Sequence, residues 1–102
     1  MKIHFIGIGG IGVSALAQYY LAKGNNITGS DLDSSQITEF LGKRGVKIRT
    51  GSHKKENVSK STDLVIYSPA VRSDNSELIQ AKKYGIKTQS YPQAIGDLTK
   101  KY

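Results

Sequence analysis

The sequence has no cysteine, no tryptophan and only two prolines among its 102 residues. The lack of cysteine excludes a disulfide framework, a thiol nucleophile and a zinc–thiolate site. No apolar run approaches the length of a membrane span. A chain of this length and hydrophobic content predicts one folded domain over residues 1–102, too short for a two-domain enzyme.

Acidic residues are also scarce, with 8 Asp and Glu against 15 Lys and Arg and a net charge of +7. The basic residues are scattered, and aromatic residues are not interleaved with them, so we expect a solvated surface and no nucleic-acid partner. Attraction of a polyanionic small molecule is the second interpretation. The start of the chain imitates a secretory signal with Ala15-Leu16-Ala17, but its apolar part carries four glycines. We therefore expect a cytoplasmic protein with no membrane partner.

Catalytic patterns are missing as well. The sequence shows no Ser–His–Asp ordering, no carboxylate pair and no metal-ligand spacing. It has no G-x-x-x-x-G-K-[ST] loop, so ATP hydrolysis is not expected. The spacing of its residues thus predicts a binding domain with no catalytic or metal-ligating residue.

A glycine-rich turn is the strongest pattern that is present. Gly7, Gly9 and Gly12 have the G-x-G-x-x-G spacing between an apolar strand and an apolar helix. Gly7 is expected to permit the tight turn, Gly9 to let a phosphate approach and Gly12 to let the helix pack on the strand. Gly10 leaves more bare backbone at a helix amino end that favours an anion. Asp31, 19 positions after Gly12, is placed to meet a ribose or base; the alternative is a turn selected for packing alone.

The rest of the chain alternates strands with helices. Strands are expected at 3–6, 26–30, 46–50, 63–68 and 86–89, and helices at 11–23, after Asp33, at 76–84 and from Pro92, the last fading over 99–102. Strands joined by helices indicate a Rossmann-like parallel α/β sheet of order 3-2-1-4-5 with helices on both faces. The order reverses beside strand 1, which predicts a crevice at the carboxyl ends of strands 1 and 4.

Two capping boxes are predicted, Asp33 with Gln36 and Asp74 with Glu77. The residues expected to face inward from these two helices are Ile37, Phe40, Leu41, Leu78, Ile79 and Ala81.

Four polar residues near the predicted crevice have two interpretations each. His53 follows a strand in a turn and either contacts a ligand or is an ordinary surface histidine. His4, inside strand 1, is either packed or hydrogen-bonded in the core or has a functional role, and the first is expected. Ser68 either binds a ligand or caps a turn, and Ser14 either contacts a phosphate or bonds back to its own helix.

Several separated motifs together resemble the N-terminal domain of the Mur ligases over essentially the whole chain. They are the segment 4–12 with Ser14, then Gly29-Ser30-Asp31, Ser68-Pro69-Ala70-Val71 and Asp74-Asn75. The resemblance implies the first domain of a three-domain enzyme of peptidoglycan synthesis that uses ATP and Mg²⁺. Such an enzyme activates a muramyl carboxylate as an acyl phosphate, which the amino group of L-alanine attacks. The branch of the family that recycles a cell-wall tripeptide is the second match.

The resemblance also implies a site for UDP-N-acetylmuramate. Its residues are Gly9, Gly10, Ile11, Gly12, Ser14, Ser30, Asp31, His53, Ser68, Pro69 and Ala70. The backbone from Gly9 to Gly12 would hold the diphosphate, Ser30 and Asp31 would face the uridine, and His53 and the loop from Ser68 would complete the wall. In the family, the ATPase loop begins shortly after the position of Thr99. We therefore expect an isolated first domain that binds substrate, is inactive without the central and C-terminal domains, and holds no cofactor itself.

The rival interpretation is an NAD(P)-binding domain of an oxidoreductase or a regulatory module. Asp31 and the glycine spacing fit it almost as well. Five expected strands rather than six, and the lack of a second nucleotide-binding half after Asp33, argue against it.

Overall fold

A computed structural model describes residues 1–100 of the chain, so the predicted fading of the last helix over residues 101–102 lies outside it. The strands are β1 (Lys2–Ile6), β2 (Asn26–Asp31), β3 (Lys47–Thr50), β4 (Leu64–Tyr67) and β5 (Lys87–Ser90). The helices are α1 (Ile11–Ala22), α2 (Gln36–Lys43), α3 (Ser76–Lys83) and α4 (Tyr91–Thr99), with a single 3₁₀ turn at Lys55–Asn57. No helix within residues 1–100 is long and apolar enough to cross a membrane.

The five strands form one parallel sheet in the order β3-β2-β1-β4-β5, which confirms the predicted fold class and strand order. Phe5 in the central strand pairs with Gly29 on one side and with Ile66 on the other. From β1 the chain continues to β2 and then β3 on one side, and it crosses the sheet to reach β4 on the other side of β1. The carboxyl ends of β1 and β4 therefore border a crevice that no crossover covers.

Alternating residues of β1 divide the core between two faces of the sheet. Ile3 and Phe5 belong to a large apolar cluster with residues of α1, α2 and α4, including Leu16, Leu41 and Ala94. We call this side the α1 face.

Ile6 points to the opposite side, the α3 face, which α3 and the 3₁₀ turn cover. Its apolar cluster is smaller and contains Val58, Val65, Leu78 and Ala81 besides Ile6. The α3 face beside β1 and β2 is instead filled by buried polar side chains, which belong to the site described below.

Helix α2 begins at a different cap from the predicted one. Ser35 Oγ accepts the N–H of Thr38 at 3.2 Å, and Thr38 Oγ1 accepts the N–H of Ser35 at 2.8 Å. The Asp33–Gln36 box is therefore wrong, because the hydroxyl pair two residues later closes the first turn reciprocally.

Helix α3 also has another cap. The side-chain carbonyl of Asn75 accepts the N–H groups of Glu77 and Leu78 at 2.9 and 3.3 Å. The Asp74–Glu77 box is wrong, since the helix begins one residue later than that box requires and the Glu77 side chain turns into the interior.

Two of the predicted inward-facing residues are exposed. Phe40 is 42% and Ile79 is 41% exposed, whereas Leu41, Leu78 and Ala81 are buried as predicted. Helices of two turns present only a narrow stripe to the sheet, so the residue beside that stripe stays at the surface. The Phe40 ring lies 4.2 Å from the guanidinium of Arg44, which covers it.

Candidate functional site

A cleft of about 530 Å³ opens at the carboxyl ends of β1 and β4, where the strand order predicts one. Its lining residues are Gly7, Gly9, Gly10, Asp31, Leu32, His53, Ser68, Ala70, Val71, Arg72, Asp74 and Asn75. The predicted site residues that line it are Gly9, Gly10, Asp31, His53, Ser68 and Ala70. The predicted residues Ile11, Gly12, Ser14, Ser30 and Pro69 do not line it.

Gly7 makes the sharp turn out of β1, as predicted. Its φ is +80°, and a Cβ there would lie 2.9 Å from the Cβ of Ser68. The N–H groups of Gly7 and Ile8 both donate to the carbonyl oxygen of Ser30, at 2.9 and 3.0 Å. The turn is thereby fixed to the end of β2, beside the cleft.

Gly9 has a close contact that the glycine spacing does not predict. Its N–H donates to Asp31 Oδ2 at 2.8 Å, and a Cβ on residue 9 would lie 2.7 Å from the same oxygen. The missing side chain therefore makes room for the Asp31 carboxylate, which braces the glycine turn while it lines the cleft. The other oxygen, Oδ1, accepts the N–H of Asp33 at 3.3 Å.

Gly12 has its nearest neighbour on α4, which the glycine spacing does not predict. A Cβ on residue 12 would lie 2.8 Å from the ring of Tyr91, the first residue of α4. The glycine turn approaches β2 closely at Gly29, where a Cβ would lie 2.4 Å from Ile8 Cδ1. Both contacts join residues far apart in the sequence, so spacing within the glycine turn carried no signal for them.

The amino end of α1 carries unpaired backbone donors at the rim of the cleft. Gly10, the N-cap, has no side chain to accept a bond, and its own N–H donates to Gly7 O at 3.2 Å. The first bond of the helix runs from Ser14 N–H to Gly10 O. Within residues 1–100 the N–H groups of Ile11, Gly12 and Val13 have no acceptor. The donors available to an anion are therefore these three, and not those of Gly9 and Gly10.

The two serines near the turn bond locally. Ser14 Oγ donates to Ile11 O at 2.9 Å, which is the backbone alternative of its two interpretations. Ser68 Oγ accepts the N–H of Ala70 at 3.2 Å and so caps the turn, while the residue also lines the cleft.

Three charged residues line the cleft: Asp31, Asp74 and Arg72. Arg72 Nε lies 3.4 Å from Asp74 Oδ1, but both side chains are largely exposed, so this ion pair contributes little stability. The side chains around the cleft are thus not strongly cationic. The amino end of α1 and Arg72 are the features that favour a negatively charged ligand.

Glu77 is the functional candidate that the sequence interpretation missed. Its side chain is 0% exposed and accepts hydrogen bonds from four residues, which lie in β1, in β2, in the loop after β3 and in the 3₁₀ turn. His4 Nε2 (2.6 Å) and Ser30 Oγ (2.7 Å) donate to Oε1, whereas His53 Nδ1 (2.7 Å) and Asn57 Nδ2 (3.1 Å) donate to Oε2. We call these five residues the Glu77 cluster.

The cluster keeps its carboxyl ionised. Burial alone would raise the pKa of Glu77 above its ordinary value of 4.5, but the hydrogen bonds from His4, Ser30 and Asn57 and the attraction of His4 lower it to about 2. His4 is buried and also contacts Thr28 Oγ1 through Nδ1 at 2.8 Å, which confirms its predicted place in the core.

The cluster contains two of the predicted site residues, Ser30 and His53. Ser30 is 1% exposed and its hydroxyl donates to Glu77, so it lies beneath the cleft rather than on its wall. His53 lies on the wall, with its side chain 15% exposed and its Nδ1 held by Glu77. No local pattern predicts that Ser30 and His53 bond to Glu77, because the spacing of Glu77 from Asp74 is that of a capping box.

A parallel sheet of order 3-2-1-4-5, with a cleft between a glycine turn and the loop after β4, defines a Rossmann-like domain. The chain belongs to the Mur ligase family, since the family model described as "Mur ligase family, catalytic domain" matches residues 2–102.

Known relatives support the assignment to this family. The chain is 51% identical over 100 residues to the UDP-N-acetylmuramate–L-alanine ligase of Acetivibrio thermocellus, covering 98% of this chain and 21% of the relative. It is 52% identical over 94 residues to the enzyme of that name from Campylobacter jejuni, covering 92% and 21%. The chain thus spans about a fifth of the length of these curated relatives.

Two crystal structures have the same fold. A UDP-N-acetylmuramate–alanine ligase from Thermotoga maritima superposes with a TM-score of 0.92 at 39% identity, over 99% of this chain and 23% of that one. A murein peptide ligase from Psychrobacter arcticus gives 0.84 at 28% identity, over 95% and 20%.

Proposed function

We propose that the cleft binds UDP-N-acetylmuramate and that the chain is the N-terminal substrate-binding domain of a cytoplasmic ligase that joins L-alanine to this sugar nucleotide. The observation that carries the proposal is the set of unpaired amides at residues 11–13, beside a cleft of nucleotide size. A diphosphate satisfies such donors and the positive end of the α1 dipole together. The names of the relatives, which match nearly the whole chain, support the uridine sugar as the ligand.

The role of these residues is to bind and orient the substrate. The diphosphate is anchored at the amino end of α1 and by Arg72, while Asp31 and His53 line the wall on which the uridine or sugar rests. In the proposed parent enzyme, ATP and Mg²⁺ supply the activation of the muramyl carboxylate. Residues 1–100 contain no group of three or more side chains that could hold a metal ion, and the sequence lacks a phosphate loop for ATP. We therefore assign both cofactors to other domains of the parent and no catalytic step to this chain.

Ile11 offers a direct test of the amide contacts, because it is the first residue of α1 and its side chain is 83% exposed. Proline is tolerated at this helix position, and Gly10, with φ −66° and ψ 147°, already has the conformation that a following proline requires. Ile11→Pro removes one N–H donor, and the matched control Ile11→Ala removes the side chain but keeps the donor.

Binding of UDP-N-acetylmuramate, UDP, uridine and NAD⁺ would be measured by calorimetry and by amide NMR shifts. We expect Ile11→Pro to lower the affinity for both diphosphate ligands, UDP and UDP-N-acetylmuramate, roughly tenfold, which is the cost of one hydrogen bond to a charged group. The affinity for uridine should stay unchanged. Ile11→Ala should bind like the unmodified chain. Equal affinity of both variants for UDP would refute the diphosphate position, and binding of NAD⁺ in preference to UDP would favour the dinucleotide alternative.

A further inference from the structure

The Glu77 cluster contains the chain's only two histidines, His4 and His53, held by opposite ring nitrogens. His4 contacts the carboxylate through Nε2, whereas His53 contacts it through Nδ1. An ionised carboxylate can only accept hydrogen bonds, so each of these nitrogens must carry a proton. The low pKa of Glu77, about 2, keeps the carboxylate in this acceptor form at neutral pH.

The remaining nitrogen of His53 is the one left for the cleft. Within residues 1–100, His53 Nε2 makes no hydrogen bond, and the residue lines the cleft wall. His4 Nε2 lies against the same carboxylate at 2.6 Å, so both histidines direct a ring N–H group to Glu77. A neutral His53 with its proton on Nδ1 has a bare lone pair on Nε2.

The other members of the cluster leave this assignment unchanged. Ser30 Oγ lies 3.2 Å from His53 Nδ1, but its hydroxyl hydrogen goes to Glu77 Oε1 at 2.7 Å. Asn57 can only donate through Nδ2, and it does so to Glu77 Oε2. Ser76 Oγ donates to the backbone carbonyl of His53 at 2.8 Å and so restrains the backbone of that residue.

We propose that Glu77 is a positioning residue that fixes the proton of His53 on Nδ1 and thereby presents Nε2 to the cleft as an acceptor for a neutral N–H or O–H group of the ligand. The inference deepens the proposed function and rests on it, since it names the kind of ligand group to which the same cleft hydrogen-bonds. In UDP-N-acetylmuramate such a donor exists at the uracil imide and at the sugar hydroxyls. An unprotonated Nε2 repels phosphate and carboxylate oxygens, so the diphosphate is directed to the amino end of α1.

The first experiment needs no ligand and no variant. Long-range ¹⁵N–¹H correlation on histidine-labelled chain at about pH 8, where ordinary imidazoles are neutral, reports which nitrogen carries the proton. We expect the unprotonated nitrogen of His53 to be Nε2, while in His4 the proton lies on Nε2, the opposite nitrogen. A proton on Nε2 of His53 would overturn the proposal.

A pair of variants separates positioning from general structure. Glu77→Gln introduces an amide that can donate to His53 Nδ1, so we expect the proton to move toward Nε2; the exposed Glu39→Gln should leave both histidine spectra unchanged. If His53 in folded Glu77→Gln keeps its proton on Nδ1, Glu77 does not control it. If Glu77→Gln fails to fold, Ser30→Ala keeps the carboxylate and must preserve the proton on Nδ1, and its loss there would contradict the proposal.

Three ligands identify the donor: UDP, N3-methyl-UDP, which lacks the imide N–H, and UDP-N-acetylmuramate. If the imide is read, UDP shifts the Nε2 resonance, binds about tenfold more tightly than its methyl analogue, and loses that preference in Glu77→Gln. If a ribose hydroxyl is the donor, UDP and its methyl analogue shift the Nε2 resonance alike; if a hydroxyl of the amino sugar is the donor, only UDP-N-acetylmuramate shifts it. Bound ligands that leave Nε2 unshifted, or that protonate it, would refute the acceptor role. Failure of all three to bind would overturn the proposed function, while the tautomer of the free chain would still decide the role of Glu77.

Discussion

The two faces of the sheet are built on different physical principles. The α1 face is a continuous apolar cluster in which Ile3, Phe5 and Leu41 are fully buried. The α3 face, beside β1 and β2, buries a carboxylate, one imidazole and a hydroxyl at similar depth, and the second imidazole, that of His53, reaches the cleft wall. Apolar packing tolerates exchange of side chains of similar volume, whereas a buried carboxylate requires every donor to stay in place. The comparison indicates that the α1 face supplies stability and that the α3 face specifies the geometry of the cleft.

The largest expected effect comes from removing the carboxylate. Glu77→Ala leaves His4, Ser30, His53 and Asn57 without their common acceptor, and we expect a loss of about 3–5 kcal/mol in the free energy of unfolding. Urea unfolding followed by circular dichroism measures it. The control Glu39→Ala, on the exposed side of α2, should change stability by less than about 0.5 kcal/mol. A loss as small as that of the control would show that the buried carboxylate does not contribute to stability.

Acid should lower the free energy of unfolding through Glu77, on the α3 face. The pKa of Glu77 is about 2 when folded and near 4.5 when unfolded, so the unfolded chain binds the extra proton between these values. The contribution of Glu77, about 3 kcal/mol, is therefore complete above pH 5 and is lost as the pH falls toward 2. Unfolding free energies measured from pH 6 to 2 should show this slope, and Glu77→Gln should reduce it. An unchanged slope in that variant would assign the acid sensitivity to other carboxyl groups.

Removing one donor from the cluster should have a smaller effect. Ser30→Ala deletes the hydroxyl that donates to Glu77 at 2.7 Å, and we expect a loss of about 1.5–3 kcal/mol, the range for a hydrogen bond to a charged group. The His53 resonances should shift in the same spectra, because Ser30 also lies 3.2 Å from its ring. A destabilised variant with an unshifted His53 would mean that the cluster does not act as a unit.

The smallest effect is expected on the apolar face. Ile3→Val removes one methylene from a fully buried side chain and should cost about 0.5–1.5 kcal/mol. Because Ile3 and His4 point to opposite faces of β1, the histidine spectra and the ligand affinity should stay unchanged. Shifts of the His53 resonances as large as those in Ser30→Ala would contradict the independence of the two faces.

The same division explains how far sequence reasoning reached. Strand order and the α1 face follow from periodicity, and the cleft position follows from the reversal of order beside β1. Glu77 was misread because its spacing from Asp74 imitates a cap, while the real cap is Asn75. Its inward direction depends on donors from β1, β2 and the 3₁₀ turn, which no local pattern records.

Within the candidate site, the glycine turn was located correctly but explained incompletely. Gly7 has the expected positive φ. The neighbours of Gly9 and Gly12 are a carboxylate on β2 and a ring on α4, and both contacts depend on tertiary structure. Backbone pairing likewise moves the available amides to residues 11–13, which spacing alone could not distinguish from residues 9 and 10.

The contact between Gly12 and Tyr91 has a mechanical consequence. The ring of Tyr91 occupies the space that a side chain on residue 12 would need, and Tyr91 is the residue with which α4 begins. Rigid helices transmit small displacements along their whole length, so a tilt of α4 would press on, or release, the first turn of α1. Binding of the diphosphate that we propose at that turn would then depend on the position of α4 as well as on the residues that line the cleft.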